Sequence, residues 1–242
     1  MEFNKCYNLN CEEGLKLIRT ESIDLVLTDP PYDVDFGGKQ KALLTIRSFA
    51  DGKKMDVYRN YIEYNCDYGY LARQFYRVLK DDIHCYLFAG HQQIDDWVVA
   101  MTKTGFKFVQ LLNWERNKVR YDLTMGHKYL ENKEQILFFQ KGWKKLNLKS
   151  IKSSFKFDSA KTDGNEWHSC PRPYELLKML MLNSSNESDV VLDCFAGSGE
   201  HLVTAMKLRR NFIGFELSKE FHKRIEQRIE FQKQQFNLIQ YI

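Results

Sequence analysis

Proline is scarce in this chain: four occur in 242 residues, placed as Pro30-Pro31 and as Pro171 with Pro173. So few rigid residues, gathered in pairs, point to two loops whose backbones must be fixed. The six cysteines (Cys6, Cys11, Cys66, Cys85, Cys170, Cys194) form no CxxC pair. That argues against a zinc site and a disulfide framework, and the expectation is reduced thiols. No apolar run approaches the ~20 residues that cross a bilayer, and no signal region is visible, so a soluble, cytoplasmic protein without a membrane partner is expected. A strong charge of one sign is also missing: 36 Lys and Arg against 32 Asp and Glu leave a formal charge of +4. Such a balance permits nucleic acid without demanding it, because affinity for phosphates follows local charge concentration. Internal repeats and low-complexity tracts are absent too.

What is present suits one globular domain with a sizeable core, since 43% of the residues are hydrophobic. Ile23 to Thr28 reads as a short buried strand ending at Asp29. Tyr70 to Leu79 has helical spacing, Ile83 to Ala89 reads as a strand, Ile94 to Thr102 as a helix, and Phe106 to Trp114 and Glu134 to Gln140 as strands. Beyond Pro173, Tyr174 to Leu182 is helical. Val190 to Asp193 is a strand, Glu200 to Leu208 a helix and Phe212 to Glu216 a strand. Ser218 can cap a last helix running to about Gln234. Strands alternating with helices indicate an α/β fold with a mainly parallel sheet. Two stretches break the rhythm, Gly37 to about Asn60 and Lys141 to Trp167, and both read as long loops or a small inserted lobe.

Asp193-Cys-Phe-Ala-Gly-Ser-Gly199 follows an apolar strand and opens a helix. In a parallel sheet that turn lies at the carboxyl edge, where small molecules bind. Gly197 and Gly199 let the backbone approach a ligand, and Glu216, 23 positions after Asp193, can accept two ribose hydroxyls. A glycine turn alone signals only helix–strand packing; strand, turn, helix and terminal acid in order favour a nucleoside cofactor. No Gly-Lys-Ser/Thr triplet grips phosphates, and Leu202 stands where a dinucleotide fingerprint has its third glycine. An adenosine cofactor without phosphates remains, and S-adenosylmethionine fits.

Asp29-Pro30-Pro31-Tyr32 ends the Ile23 strand at the same edge. As a bland turn it would only close the strand. As chemistry it is a rigid cluster of one carboxylate, one fixed carbonyl and one ring. An adenine amino nitrogen shares its lone pair with the ring and is a poor nucleophile. Asp29 and the Pro30 carbonyl can each accept one of its N–H bonds and turn the lone pair toward a sulfonium methyl. Tyr32 can stack on the base once it is flipped from the duplex.

With these motifs in order, the chain resembles the β class of amino-group DNA methyltransferases. Ser22 to Tyr32, Val78 to Phe88, Asn132 to Lys141, Val191 to Gly199 and Arg210 to Glu216 carry the resemblance, which covers nearly the whole chain. It implies a Rossmann-like S-adenosylmethionine-dependent methyltransferase fold, a mixed, mainly parallel sheet with helices on both faces. It also implies a single domain over 1–242: a catalytic half at about 1–140, a small target-recognition insertion at about 141–167 and a cofactor half at about 168–242. The expected catalytic residues are Asp29, Pro30, Pro31 and Tyr32. The expected cofactor residues are Asn10, Asp29, Arg172, Pro173, Asp193, Phe195, Ala196, Gly197, Ser198, Gly199, Glu216 and Leu217.

Several places depart from the family pattern. Cys194 stands for a proline, Glu200-His201 for two threonines, Arg172 for a lysine and Asn10 for an aspartate. Asp in the first catalytic position is associated with adenine N6, and Ser there more often with cytosine N4. Double-stranded DNA is the expected partner, and a homodimer is the assembly left open. No acidic residue occurs from Lys141 through Phe157, so Lys141, Lys144, Lys145, Lys149, Lys152 and Lys156, with Trp143, Phe155 and Phe157 between them, are the candidate DNA contacts. The segment is short, and recognition is expected to be shared with the Gly37 to Asn60 loop. His84, His91, His127 and His222 lack ligand spacing and are expected to be structural or on the surface, as Trp97 and Trp114 are expected to be core; His201 either faces the cofactor or serves the helix start. The competing readings are a cytosine-N4 enzyme, an enzyme acting on structured RNA, a protein-glutamine methyltransferase (whose related loop normally follows its cofactor motif) and a non-catalytic DNA-binding module of the same fold.

Overall fold

A computed structural model of the chain describes residues 1–31, 67–116, 132–149, 151–158 and 172–239, with two further two-residue strands at 46–47 and 54–55. In chain order the elements begin with β1 (Lys5–Tyr7), α1 (Cys11–Leu17), β2 (Ile23–Thr28), β3 (Ile46–Arg47) and β4 (Lys54–Met55). They continue with α2 (Tyr68–Val78), β5 (Leu79–Ala89), α3 (Ile94–Lys103), β6 (Lys107–Glu115), β7 (Lys133–Lys141) and β8 (Ser154–Lys156). The last are α4 (Tyr174–Ser184), β9 (Val190–Asp193), α5 (Glu200–Lys207), β10 (Asn211–Phe215) and α6 (Lys219–Ile239).

Every residue of β2 and β9 is buried. A strand covered on both faces has no solvent side, which is why both read as apolar runs without alternation. They lie side by side in an eight-stranded sheet of order β1-β10-β9-β2-β5-β7-β6-β8. Only β7 runs against its neighbours β5 and β6; the other pairings are parallel. The first three helices cover one face through Leu15, Phe75 and Trp97. The last three cover the other through Leu177, Leu202 and Ile225. Trp97 and Trp114 are core residues, as expected. No helix among the described residues is long and apolar enough to cross a membrane.

From β2 the chain goes through α2 to β5 on one side, and from β9 through α5 to β10 on the other. The connections diverge between two adjacent strands, and such a switch point opens a crevice at the carboxyl ends of the strands. Asp29 leaves β2 there and the glycine turn leaves β9.

The sequence reading did not include β1, α1 or β8, which have three, seven and three residues; elements this short carry too few periods to register. It also started β5 at Ile83, because exposed Lys80, Asp81 and Asp82 hide a strand that begins at Leu79. The pairing with β2 slips between Ile23↔Leu79 and Leu25↔His84, and those polar residues fill the slip.

Under the opposite end of the sheet lies a buried polar knot. His84 Nε2 donates to the Lys144 carbonyl at 3.1 Å. Its Nδ1 then accepts from the Ser184 hydroxyl at 2.7 Å, and Ser184 Oγ lies 2.7 Å from the Tyr86 hydroxyl. Burial pushes the His84 imidazole down from 6.5 to about 4. The folded state therefore binds this proton less readily than the unfolded chain does. The stability this contributes is present above pH 6.5 and is lost as the pH falls through 4, about 3 kcal/mol in all. Urea unfolding at pH 7 and pH 4.5 is expected to show part of that loss, and His84→Gln to reduce the difference.

Candidate functional site

Asp29 begins the Asp29-Pro30-Pro31 loop directly after β2, and two clamps hold it. On one side Asp29 Oδ2 receives Arg172 Nη2 at 2.8 Å. Arg172 also pairs with Glu134 through Nη1, and Glu134 pairs with Arg116 at 3.1 Å. The Arg172 guanidinium lies over the Phe88 ring, 4.8 Å from its centroid, with Trp114 at 5.8 Å. On the other side Gln93 Nε2 donates to the Pro31 carbonyl at 3.0 Å and to the Tyr68 hydroxyl at 2.9 Å. Gln93 is buried, so its amide holds that carbonyl away from competition with water. Tyr32 lies outside the described residues, as does most of the Gly37 to Asn60 loop.

The glycine turn spans the gap between β9 and α5. Gly197 and Gly199 have φ of +49° and +78°, the left-handed region where a side chain is strained. Ala196 N–H donates to the Phe215 carbonyl at 2.9 Å. Glu216, at the end of β10, accepts Gly197 N–H on one oxygen and Ser218 N–H on the other, each at 2.8 Å. Burial raises its carboxyl above the ordinary range, against the pull of those two N–H groups. Asn8 donates its amide to the Glu216 and Leu217 carbonyls at 2.8 and 3.0 Å, while Asn10 caps α1 by accepting Glu12 N–H at 2.8 Å. Asn10, Phe195 to Gly199, Glu216 and Leu217 thus stand along one edge of the sheet.

This edge fits an adenosine cofactor without phosphates. A carboxylate has about four acceptor positions; two on Glu216 hold the turn, and two remain for ribose hydroxyls. None of Asn10, Phe195 to Gly199, Glu216 and Leu217 is a cation that could neutralise a phosphate.

Two of the expected cofactor residues, Asp193 and Arg172, have partners within the fold. Asp193 is fully buried, and its carboxylate is occupied by the fold. Oδ1 accepts the Thr28 hydroxyl at 2.6 Å and Phe195 N–H at 3.1 Å, and Oδ2 meets His201 Nδ1 at 2.7 Å. Asp193 shapes the turn from beneath. His201 is its buried partner, packed 5.9 Å from Phe88. Arg172 stands against the Asp29 carboxylate, while Pro173 caps α4. Thr28 also accepts Cys194 N–H at 3.1 Å. One hydroxyl therefore ties the end of β2 to the end of β9. Burial holds the Cys194 thiol far above its usual range, so this departure from the family pattern is a packing residue.

The lysines separate into two groups. Because β7 runs antiparallel to β5, with Lys141 opposite Ile83, it carries the chain away from the catalytic edge. Lys141 is buried there, its Nζ 2.7 Å from the Leu79 carbonyl and 3.1 Å from Asp81. Lys144 donates to the Ser184 carbonyl at 2.9 Å, and Lys145 lies over the Trp143 ring at 5.5 Å. Strand direction places these three lysines, expected as DNA contacts, at the edge of the sheet opposite Asp29. The chain then returns as β8, parallel to β6, and brings exposed Lys156 level with Glu115 at the catalytic edge. Lys149 and Lys152 are exposed along the way.

Sequence reasoning did not find Gln93, Glu134, Arg116, Thr28 or Asn8. Each is a single polar residue, on or beside a strand except for Gln93 at the start of α3, and only the tertiary fold brings it to the site.

A family described as DNA methylase has a model that matches residues 23–227. Type II methyltransferase M2.DpnII of Streptococcus pneumoniae is 27% identical over 238 residues, 89% of this chain and 85% of the relative. Among solved structures, an M1.HpyAVI–SAM complex has a TM-score of 0.68 at 18% identity, covering 93% of this chain and 98% of that one. The cytosine-N4-specific PvuII DNA methyltransferase has a TM-score of 0.70 at 16% identity, covering 98% and 95%. At these identities the two structures establish the fold.

Proposed function

The chain belongs to the DNA methylase family, and on that premise we propose that it methylates N6 of a flipped-out adenine in duplex DNA, with S-adenosylmethionine as donor. The observation that carries this reading is the Thr28–Asp193 hydrogen bond of 2.6 Å, which locks the catalytic loop and the glycine turn together at one switch point. When bound, the cofactor supplies an electrophilic methyl group on a sulfonium. Glu216 would hold its ribose, and the backbone from Phe195 to Gly199 would carry its adenosine. A solved relative with this fold was crystallised with the same cofactor.

The catalytic loop does its part by orientation. With Oδ2 of Asp29 held by Arg172, Oδ1 is the oxygen assigned to one N–H of the target amino group. With the Pro31 carbonyl held by Gln93, the Pro30 carbonyl is assigned to the other. Two acceptors at fixed positions turn the nitrogen lone pair toward the methyl, and a fixed geometry of this kind is a large part of a barrier's reduction. Lys149, Lys152 and Lys156 are the lysines assigned to DNA phosphates. The preference for adenine rests on Asp29 in the first catalytic position. The fold is neutral on this point, since a cytosine-N4-specific enzyme shares it.

Labelled methyl transfer to duplex DNA, followed by digestion to nucleosides, tests the proposal. N6-methyladenine is the expected product. N4-methylcytosine would move the assignment to the other base. A protein that binds the cofactor and DNA but yields neither product would be a binding module of the same fold.

A further inference from the structure

We propose that Arg172 is a positioning residue for methyl transfer, acting through Asp29, and that Glu134, steadied by Arg116, sets where Arg172 stands. This rests on the amino-group methylation reading above. A carboxylate on a short side chain rotates easily, and most of its rotations turn the useful oxygen away from an incoming amino group. Asp29 is denied that freedom by the 2.8 Å contact with Arg172. The guanidinium cannot swing either, because it lies against Phe88 and Trp114 and its second arm is on Glu134. Its planar fork thus spans two acids, one in the catalytic loop and one on β7. Lysine, which the family resemblance leads one to expect here, is a compact point charge without that fixed fork.

Among the described residues, Arg172 and Arg116 meet the carboxylates of Asp29 and Glu134. The Arg172 side chain is 5% exposed and Glu134 12%; Arg116 is 14% exposed and Asp29 21%. Four charges so far from water are tolerated only when paired. The ion pairs run from Arg116 to Glu134 to Arg172 and end at the Asp29 carboxylate. Glu134 and Arg116 lie beyond Arg172 from Asp29 in this network, and Arg172 is the link through which the proposal has them act.

The test uses the full chain, with kcat and DNA KM from methyl transfer and cofactor affinity from calorimetry. Glu134→Gln is expected to lower kcat about ten- to a hundredfold while the cofactor Kd stays within about threefold of the parent, as a displaced but otherwise intact catalytic loop requires. Arg172→Lys, which keeps the charge, is expected to retain more kcat than Arg172→Gln. Unchanged kcat in Glu134→Gln would overturn the proposal. So would a cofactor affinity in Arg172→Lys that falls in step with kcat, because Arg172 would then be a cofactor ligand. Should Glu134→Gln fail to fold, judged by loss of cofactor binding, Arg116→Lys replaces it with the same expectations. A parent protein that binds cofactor but methylates no base overturns the methylation reading and this proposal with it. A parent that methylates normally beside unaffected variants overturns the positioning role alone.

Discussion

Asp29→Ala is expected to reduce methyl transfer by roughly a thousandfold or more while leaving cofactor affinity nearly unchanged. Removing one preorganised polar group aimed at a transition state commonly costs on the order of a hundred- to a thousandfold. Here the same side chain also fixes the orientation of a weak nucleophile, so the upper end applies. Cofactor binding should survive because Glu216 and its two N–H partners belong to other segments, Gly197 and Ser218. The alanine variant has a second effect: Arg172 keeps Glu134 but loses its other carboxylate. A buried charge that loses one partner costs about 1–3 kcal/mol in stability. Asp29→Asn is therefore the companion variant, since it retains the volume and one acceptor oxygen. Single-turnover rates for both variants, with melting curves beside them, separate chemistry from folding. Turnover near the parent's in Asp29→Ala would remove Asp29 from the mechanism.

Glu216→Ala is expected to weaken cofactor binding about a hundredfold, read by calorimetry. Hydrogen bonds to a charged group contribute about 1.5–3 kcal/mol each, and the variant forfeits those to the ribose together with the two that shape the glycine turn. Glu216→Gln should lie between, because an amide retains one oxygen. The pH dependence has a definite sign. Burial raises the Glu216 carboxyl above 4.5, so on acidification it takes up a proton earlier than an ordinary glutamate. Cofactor affinity should begin to fall at a pH above 4.5, as one acceptor oxygen becomes a donor. The contribution to folding runs the other way. A raised carboxyl in the folded state favours folding below 4.5, and that contribution is lost as the pH rises through the folded value. Affinity that stays flat down to pH 4.5 would count against Glu216 as the ribose ligand.

Much of this was legible in the residues. Strands β2 and β9 are apolar runs because both their faces are covered, and a run of that kind, closed by an acid or a glycine turn, identifies itself. Asp29, Pro30, Pro31, the turn from Phe195 to Gly199 and Glu216 follow from short contiguous motifs, and the structure brings them to one edge. The lysines did not follow, because a count of charges carries no direction. Only the reversal of β7 sends Lys141 and Lys144 to the far edge, while β8 brings Lys156 level with Glu115. The partners of Asp193 were not legible for a similar reason: its motif locates it beside the glycine turn but does not say that its carboxylate meets Thr28 and His201.

The sequence by itself determined the order of the longer elements, the two loops with distinctive motifs and the type of chemistry those motifs suit. Those depend on local backbone preference and on patterns a few residues long. The tertiary structure decided which distant polar groups meet. Thr28 reaches Asp193 across 165 positions, and Arg172 reaches Asp29 from the start of α4. Neither contact has a local signature, because each is made by strands and helix ends becoming neighbours in the sheet, and burial then gives a single hydrogen bond or ion pair its strength.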